Sequence, residues 1–220
     1  MDSIKKILLL IIVLLSNNFY AQEEEKAKLL LDEVSNKMES YTNLEVSFIT
    51  SLVNKVAGVK EGDEPPLKGK ILLQGEKYSL EYLRNTFIFN GKKLYVINHD
   101  DKEISINEDD LSEDEGFIYP SKLISFYKEG YNYKMGAKLK ENGKDIQFVE
   151  LIPIDSDSEI IKVDLGIDVN TKHIYQLIQT GQNGAITTLT IKSLKTNQDI
   201  KEAAFELDKV KYEKLGYLID

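Results

Sequence analysis

Residues 67–106 read LKGKILLQGEKYSLEYLRNTFIFNGKKLYVINHDDKEISI. Five short runs follow one another there, LKGKILLQ, KYSLEYL, TFIFN, KLYVIN and EISI, each mixing apolar and polar side chains in near alternation. Alternation with period two makes a strand with one face turned to a core, and such short gaps admit hairpins but not the crossover that a parallel pair requires. The breaks have matching chemistry: Gly75-Glu76, Asn90-Gly91 and His99-Asp100-Asp101 accept positive φ or hydrogen-bond their own backbone. The stretch is therefore predicted to be an antiparallel meander. Leu67, Ile71, Leu73, Tyr78, Leu80 and Tyr82 are expected to face inward, with Phe87 and Phe89 on one side of their strand and Ile88 on the other. Both faces of the central part are then apolar, so each needs a cover.

Working outward, Leu44, Val46, Phe48 and Leu52 alternate with Glu45, Ser47 and Ser51, which gives a half-buried strand before the polar loop from Asn54 to Pro66. Upstream again, Ala27, Leu30, Leu31, Val34, Met38 and Tyr41 recur at helical spacing, predicting an amphipathic helix from about Glu24 to Tyr41. Acidic residues crowd its first turn, where the helix dipole favours them. Its polar face is not basic, so it reads as a cover for a sheet, not as a membrane-surface helix. Downstream, five more runs, Tyr131–Leu139, Ile146–Ile152, Ile161–Ile167, Ile174–Gln179 and Ala185–Leu194, are divided by turn-forming residues such as Asn142-Gly143 and Asn183-Gly184. Between the two strand sets, Pro120-Ser121 opens a short apolar helix through Leu123, Ile124, Phe126 and Tyr127 to Gly130. The fold class is mainly β (α+β): an incomplete antiparallel β-barrel of about eleven strands, since a sheet that large must curl, split or close. The N-terminal helix covers it, and the insertion forms a helical lid.

Lys5-Lys6, the apolar run Ile7–Leu15 and a polar segment ending at Ala21 read as a cleavable secretory signal over residues 1–21, leaving residues 22–220 as one domain. Phe19 is bulky for its place before that cut. The chain has no cysteine, hence neither a disulfide framework nor an acylation site for an anchor. Loss of residues 1–21 moves the formal net charge from −9 to −10. So acidic a chain, without a basic patch interleaved with aromatics, is unsuited to nucleic acid. Arg84 is its only arginine.

No phosphate loop, dinucleotide fingerprint, zinc-protease helix or nucleophile elbow occurs. His99 falls in a turn and His173 opens a strand, positions that suit structural roles better than catalysis or metal binding. Asp155-Ser156-Asp157-Ser158-Glu159 lacks the glycine and distal glutamate of a calcium loop and reads as a solvated turn. The acidic run Glu108–Glu115 reads as a solvated surface, with docking of a basic partner as its functional alternative. No catalysis, metal or cofactor is expected.

The order of an amphipathic helix, then NLEVSFITSL (43–52), LKGKILLQGEKYSLEY (67–82), TFIFNGKKLYVIN (86–98) and DKEISI (101–106) resembles LolA-type outer-membrane lipoprotein carriers. VELIPIDSDSEIIKVDLGID (149–168), IYQLIQTGQNGAITTLTIKSLKTNQDI (174–200) and AAFELDKVKYEKLGYLID (203–220) resemble that family's second half. The resemblance implies an open barrel closed by helices, and a periplasmic carrier that takes lipoproteins from an inner-membrane ABC transporter, shields their acyl chains, and passes them to an outer-membrane receptor. It implies a monomer that binds no nucleic acid. The chain departs from the family at Leu73-Gln74-Gly75, where an arginine and proline that lock the lid are usual, and it lacks the usual C-terminal proline pair. The face expected to bind acyl chains combines Leu30, Val34 and Met38 of the helix, Val46, Phe48, Leu80 and Tyr82 of the sheet, and Leu123, Phe126 and Tyr127 of the lid. A periplasmic lipid-sensing or protein-binding scaffold of the same fold is the alternative.

Overall fold

The computed structural model describes residues 22–108 and 126–220. The expected signal segment, Leu123 with most of the expected lid helix, and the acidic run beyond Glu108 lie outside the described residues. Helix α1 spans 22–39 and buries Ala27, Leu31, Val34 and Met38, the stripe that its three- and four-residue spacing predicts.

Among the described residues twelve strands form one sheet. In chain order they are β1 Leu44–Asn54, β2 Leu67–Gln74, β3 Lys77–Tyr82, β4 Asn85–Phe89, β5 Leu94–Asn98 and β6 Glu103–Asn107. They continue as β7 Tyr131–Glu141, β8 Lys144–Pro153, β9 Ile160–Asp168, β10 Ile174–Gly181, β11 Ala185–Thr196 and β12 Leu218–Ile219. The spatial order is β12-β6-β5-β4-β3-β2-β1-β11-β10-β9-β8-β7. Two meanders thus flank β1, and β11, the last strand of the second, pairs back onto it antiparallel. β7 and β12 end the sheet without pairing to each other, so it is open, as the expected incomplete barrel requires.

The count differs by one from the eleven expected. β12 joins β6 in parallel through Leu218 N–H to Lys102 O (2.9 Å) and Asp220 N–H to Ile104 O (2.9 Å). Two residues carry no readable alternation, so sequence periodicity does not reveal such a strand. Of the expected lid helix, the described part is a single 3-10 turn, Phe126–Lys128.

Each sheet face has its own core. On the concave face α1 packs against Leu44, Val46, Phe48, Ile71, Leu73 and others in one continuous cluster that extends to β8 and β9. On the convex face Ile88, Tyr95, Ile97 and Ile104 form a second cluster. Its cover is the C-terminal segment: a 3-10 turn at Glu202–Phe205, the short helix α2 (Lys209–Lys214) and β12 supply Leu207, Tyr212, Tyr217 and Ile219. Helix α2 is capped by Asp208, whose Oδ1 accepts the Lys211 N–H at 3.0 Å. The apolar face opposite Phe87 and Phe89 is therefore covered by the C-terminal segment. Leu67 keeps the inward parity of β2 but is 46% exposed at the sheet's rim.

Candidate functional site

The concave face is the candidate site. Strand β1 holds Val46, Phe48 and Thr50 inward; the register places Leu73, Ile71 and Gly69 of β2 opposite Leu44, Val46 and Phe48. Tyr78, Leu80 and Tyr82 of β3 come next, facing Phe89, Phe87 and Asn85 of β4. On the other side of β1, Leu194 stands opposite Val46 and Ile191 opposite Phe48. Every described member of the expected binding set, Leu30, Val34, Met38, Val46, Phe48, Leu80, Tyr82, Phe126 and Tyr127, joins this one cluster.

They divide by burial. Val34, Met38, Val46, Phe48, Leu80 and Tyr127 are buried, forming the seam between helix and sheet, whereas Leu30, Tyr82 and Phe126 remain half-buried. Phe87, Phe89, Val96, Leu189, Ile191 and Leu194 share that half-buried condition, packed against the cluster with part of each side chain open. These six were not among the residues expected to bind. For β4 the signal lay in the alternation of TFIFN; for β11 it was broken by a bulge, where the register steps from Ser47–Ser193 to Phe48–Ile191 and leaves Lys192 over.

Polar groups in this face are few and mostly answered. Tyr82 Oη and Thr50 Oγ1 lie 2.6 Å apart on this face, whereas Gln176 Nε2 donates to Thr190 Oγ1 at 3.0 Å on the opposite one. Tyr133 Oη donates to the carbonyls of Tyr127 and Lys128, both at 2.9 Å, pinning the 3-10 turn to β7. Tyr127's own hydroxyl is buried, and burial, reinforced by nearby Glu39 and only partly offset by Ser35, pushes its ionisation far above the usual phenol range. Helix α1 is tied down by ion pairs Lys172–Glu33 (2.5 Å) and Lys128–Glu39. Hydrogen bonds from Lys128 and Ser35 hold the Glu39 carboxyl below its ordinary range.

Both histidines serve as ties. His99 Nε2 lies 2.8 Å from Thr86 Oγ1 and its Nδ1 2.9 Å from Tyr217 Oη, linking meander to C-terminal segment. His173 Nε2 lies 2.8 Å from Tyr41 Oη, fastening the residues after α1 to the turn between β9 and β10. Burial first, then Lys37 and Lys144, hold His173 below the ordinary imidazole range against the opposing pull of Asp168. A depressed imidazole takes up its proton later in the folded than in the unfolded chain. Stability should therefore fall as pH drops below about 6.5, the ordinary imidazole value, and continue to fall to the folded value. His173→Gln should flatten that part of a stability-versus-pH curve measured by urea unfolding; an unchanged slope would refute the assignment.

The Asp155 turn caps itself, Oδ1 accepting from Asp157 N–H at 2.9 Å. Among the described residues no group of three potential metal ligands comes together, and no helix is long and apolar enough to cross a membrane.

No protein-family model and no curated protein matches the sequence. Solved structures do. An uncharacterized conserved protein from Thermus thermophilus superposes with a TM-score of 0.57 at 9% identity, over 89% of this chain and 98% of that one. A DUF1329 family protein from Desulfovibrio piger gives 0.50 at 7% identity, over 84% and 97%. A LolA superfamily protein from Nitrosomonas europaea gives 0.44 at 12% identity, over 83% and 98%. The chain thus shares its fold, an open antiparallel sheet with a helix on its concave face, with the Thermus and Desulfovibrio proteins, and a LolA superfamily protein is among its structural neighbours.

Proposed function

We propose that the protein is a periplasmic carrier that binds the acyl chains of lipoproteins on its concave face and moves them from inner to outer membrane without chemistry. The observation that carries this reading is the band of half-buried apolar side chains, Tyr82, Phe87, Phe89, Val96, Leu189 and Ile191, lying beside α1 on an open sheet. The resemblance of the sequence to LolA-type carriers supports it. Water explains the need for a container: exposing about 14 methylenes costs on the order of 10 kcal/mol, at about 0.8 kcal/mol each. The residues at that band are apolar or neutral, which suits hydrocarbon. Loading from an inner-membrane ABC transporter and release to an outer-membrane receptor complete the reading, and export would be directed by residues 1–21.

Native mass spectrometry with and without a triacylated lipoprotein tests it. A stable 1:1 complex is expected, and Phe87→Asp or Ile191→Asp should abolish it while circular dichroism still reports a β-sheet. Both side chains are half-buried, so the substitutions weaken binding more than folding. Failure to form the complex, with the lipoprotein left in detergent, would favour the lipid-sensing or protein-binding scaffold.

A further inference from the structure

The convex face carries a cavity whose reading is independent of the carrier proposal. It lies between the outer sides of β1–β4 and the C-terminal segment and has a volume of about 1040 Å³. That exceeds the space of a lone ion and falls at the top of the range typical for small-molecule sites.

Its charge runs against that of the chain. Lys68, Lys70, Arg84, Lys192 and Lys211 line it, against Glu81, Glu206 and Asp208, in a protein of net charge −9. Three of the lysines are crowded onto adjacent strands. Lys70 stands opposite Ser47 and Lys68 opposite Ile49 on one side of β1, while the β11 bulge inserts Lys192 on the other. Lys70 is answered by Glu45 at 3.4 Å, but among the described residues Lys68 and Lys192 form no ion pair. Like charges gathered on one sheet face repel, so their convergence at a bulge calls for an anion.

The rim offers an independent sign. Leu83 and Arg84 form the two-residue turn between β3 and β4, with φ of 50° and 60°. Neither is glycine, asparagine or aspartate, and such conformations cost on the order of 1 kcal/mol or more per residue. The strained turn stations the chain's only arginine at the cavity, where it pairs with Asp100. A guanidinium is the side chain best shaped for phosphate. Hydroxyls of Ser47, Ser79 and Thr86 add neutral donors, and Glu81, Glu206 and Asp208 can accept from hydroxyl groups.

We propose that this convex groove binds a hydroxylated organic phosphate of headgroup size, the phosphate held by Lys68, Lys192 and Arg84 and the hydroxyls by the acidic wall. A phospholipid headgroup and a soluble polyol phosphate share that chemistry. Titrations of the isotope-labelled protein followed by NMR, with sn-glycerol 3-phosphate, dihexanoyl phosphatidylglycerol, dihexanoyl phosphatidylcholine and inorganic phosphate, separate them. Saturable shifts at β1, β2 and β11 with glycerol phosphate support the proposal with a soluble source. Shifts with phosphatidylglycerol alone among the organic phosphates support it with a lipid source. In either case Lys68→Gln/Lys192→Gln should weaken binding about tenfold or more, while Lys138→Gln on β7 should not. Equal binding of inorganic phosphate, an adventitious ion only, would overturn the proposal. So would undiminished binding by the double variant, equal binding of phosphatidylcholine, or no saturable binding of any probe.

Discussion

Gly69→Val is expected to lower the stability of this protein by about 3 kcal/mol, the upper end of what overpacking a core costs. Gly69 stands directly opposite Phe48 in the β1–β2 ladder. A Cβ at Gly69 would lie 2.2 Å from Phe48 Cζ, 2.5 Å from Cε2 and 2.8 Å from Cε1. No side chain fits there unless the ring moves. The ring is held on its far side, 5.7 Å from the Tyr82 ring, and Tyr82 is itself bonded to Thr50. Phe48 is 6% exposed, so it cannot swing into solvent without uncovering the concave core. Urea unfolding should show the midpoint fall with little change in slope. Phe48→Ala alone should cost about 3–5 kcal/mol by cavity formation. The double variant should cost less than the sum by more than about 1 kcal/mol, because the valine then enters space that the ring vacated. Simple additivity would mean that the ring yields freely, and the packing argument would fail. The opposite wing repeats the device more gently: Gly166 faces Phe148, where a Cβ would come within 2.9 Å of Cε1.

The meander was legible because its turns and its alternation agree. LKGKILLQ and KYSLEY announce their inward residues by parity, and the register puts Ile71 and Leu80 where parity does. Helix α1 was legible for the same reason at a different period. Three features were not. The partner of the second apolar face is a terminus whose elements, four, six and two residues long, are too short to express any period. The bulge at Lys192 shifts the parity of β11 midway, so a strand read as uniformly alternating hides the cation on the convex face. The glycine beneath Phe48 is mute, since an in-strand glycine signals close approach without saying what approaches. The described residues of the expected binding set share one cluster with α1, but alternation tells which side a residue faces and not how deeply it is covered, so it did not separate buried Phe48 from half-buried Phe87.

Removing residues 201–220 should destabilise the chain more than any single substitution on the convex face, by on the order of 5 kcal/mol. Leu207, Tyr212, Tyr217 and Ile219 pack half-buried or nearly so against the convex cluster, and the segment also carries Phe205, 1% exposed. A fully buried side chain of this size is worth about 1.5–3 kcal/mol and a partly buried one less, which puts the sum at several kcal/mol. The truncation also leaves Ile88, Tyr95, Ile97 and Ile104 bare, strips His99 of Tyr217, and turns β6 into an unpaired edge. An apolar face beside a free strand edge invites pairing with a second molecule. Sedimentation should therefore show oligomers, and a hydrophobic dye should bind, while far-ultraviolet circular dichroism still reports the sheet, since α1 and the concave cluster are untouched. A monomeric truncated chain with an unchanged unfolding midpoint would mean that the terminus only rests on the sheet. The cluster argues otherwise: Ile97 and Ile104 are 0% and 1% exposed on strands near the sheet's edge, and of the described elements on that face only the C-terminal segment packs against them. The C-terminal segment thus covers the apolar cluster of β4–β6 on the convex face, while Phe87, Phe89 and Val96 on the concave face stay half-buried.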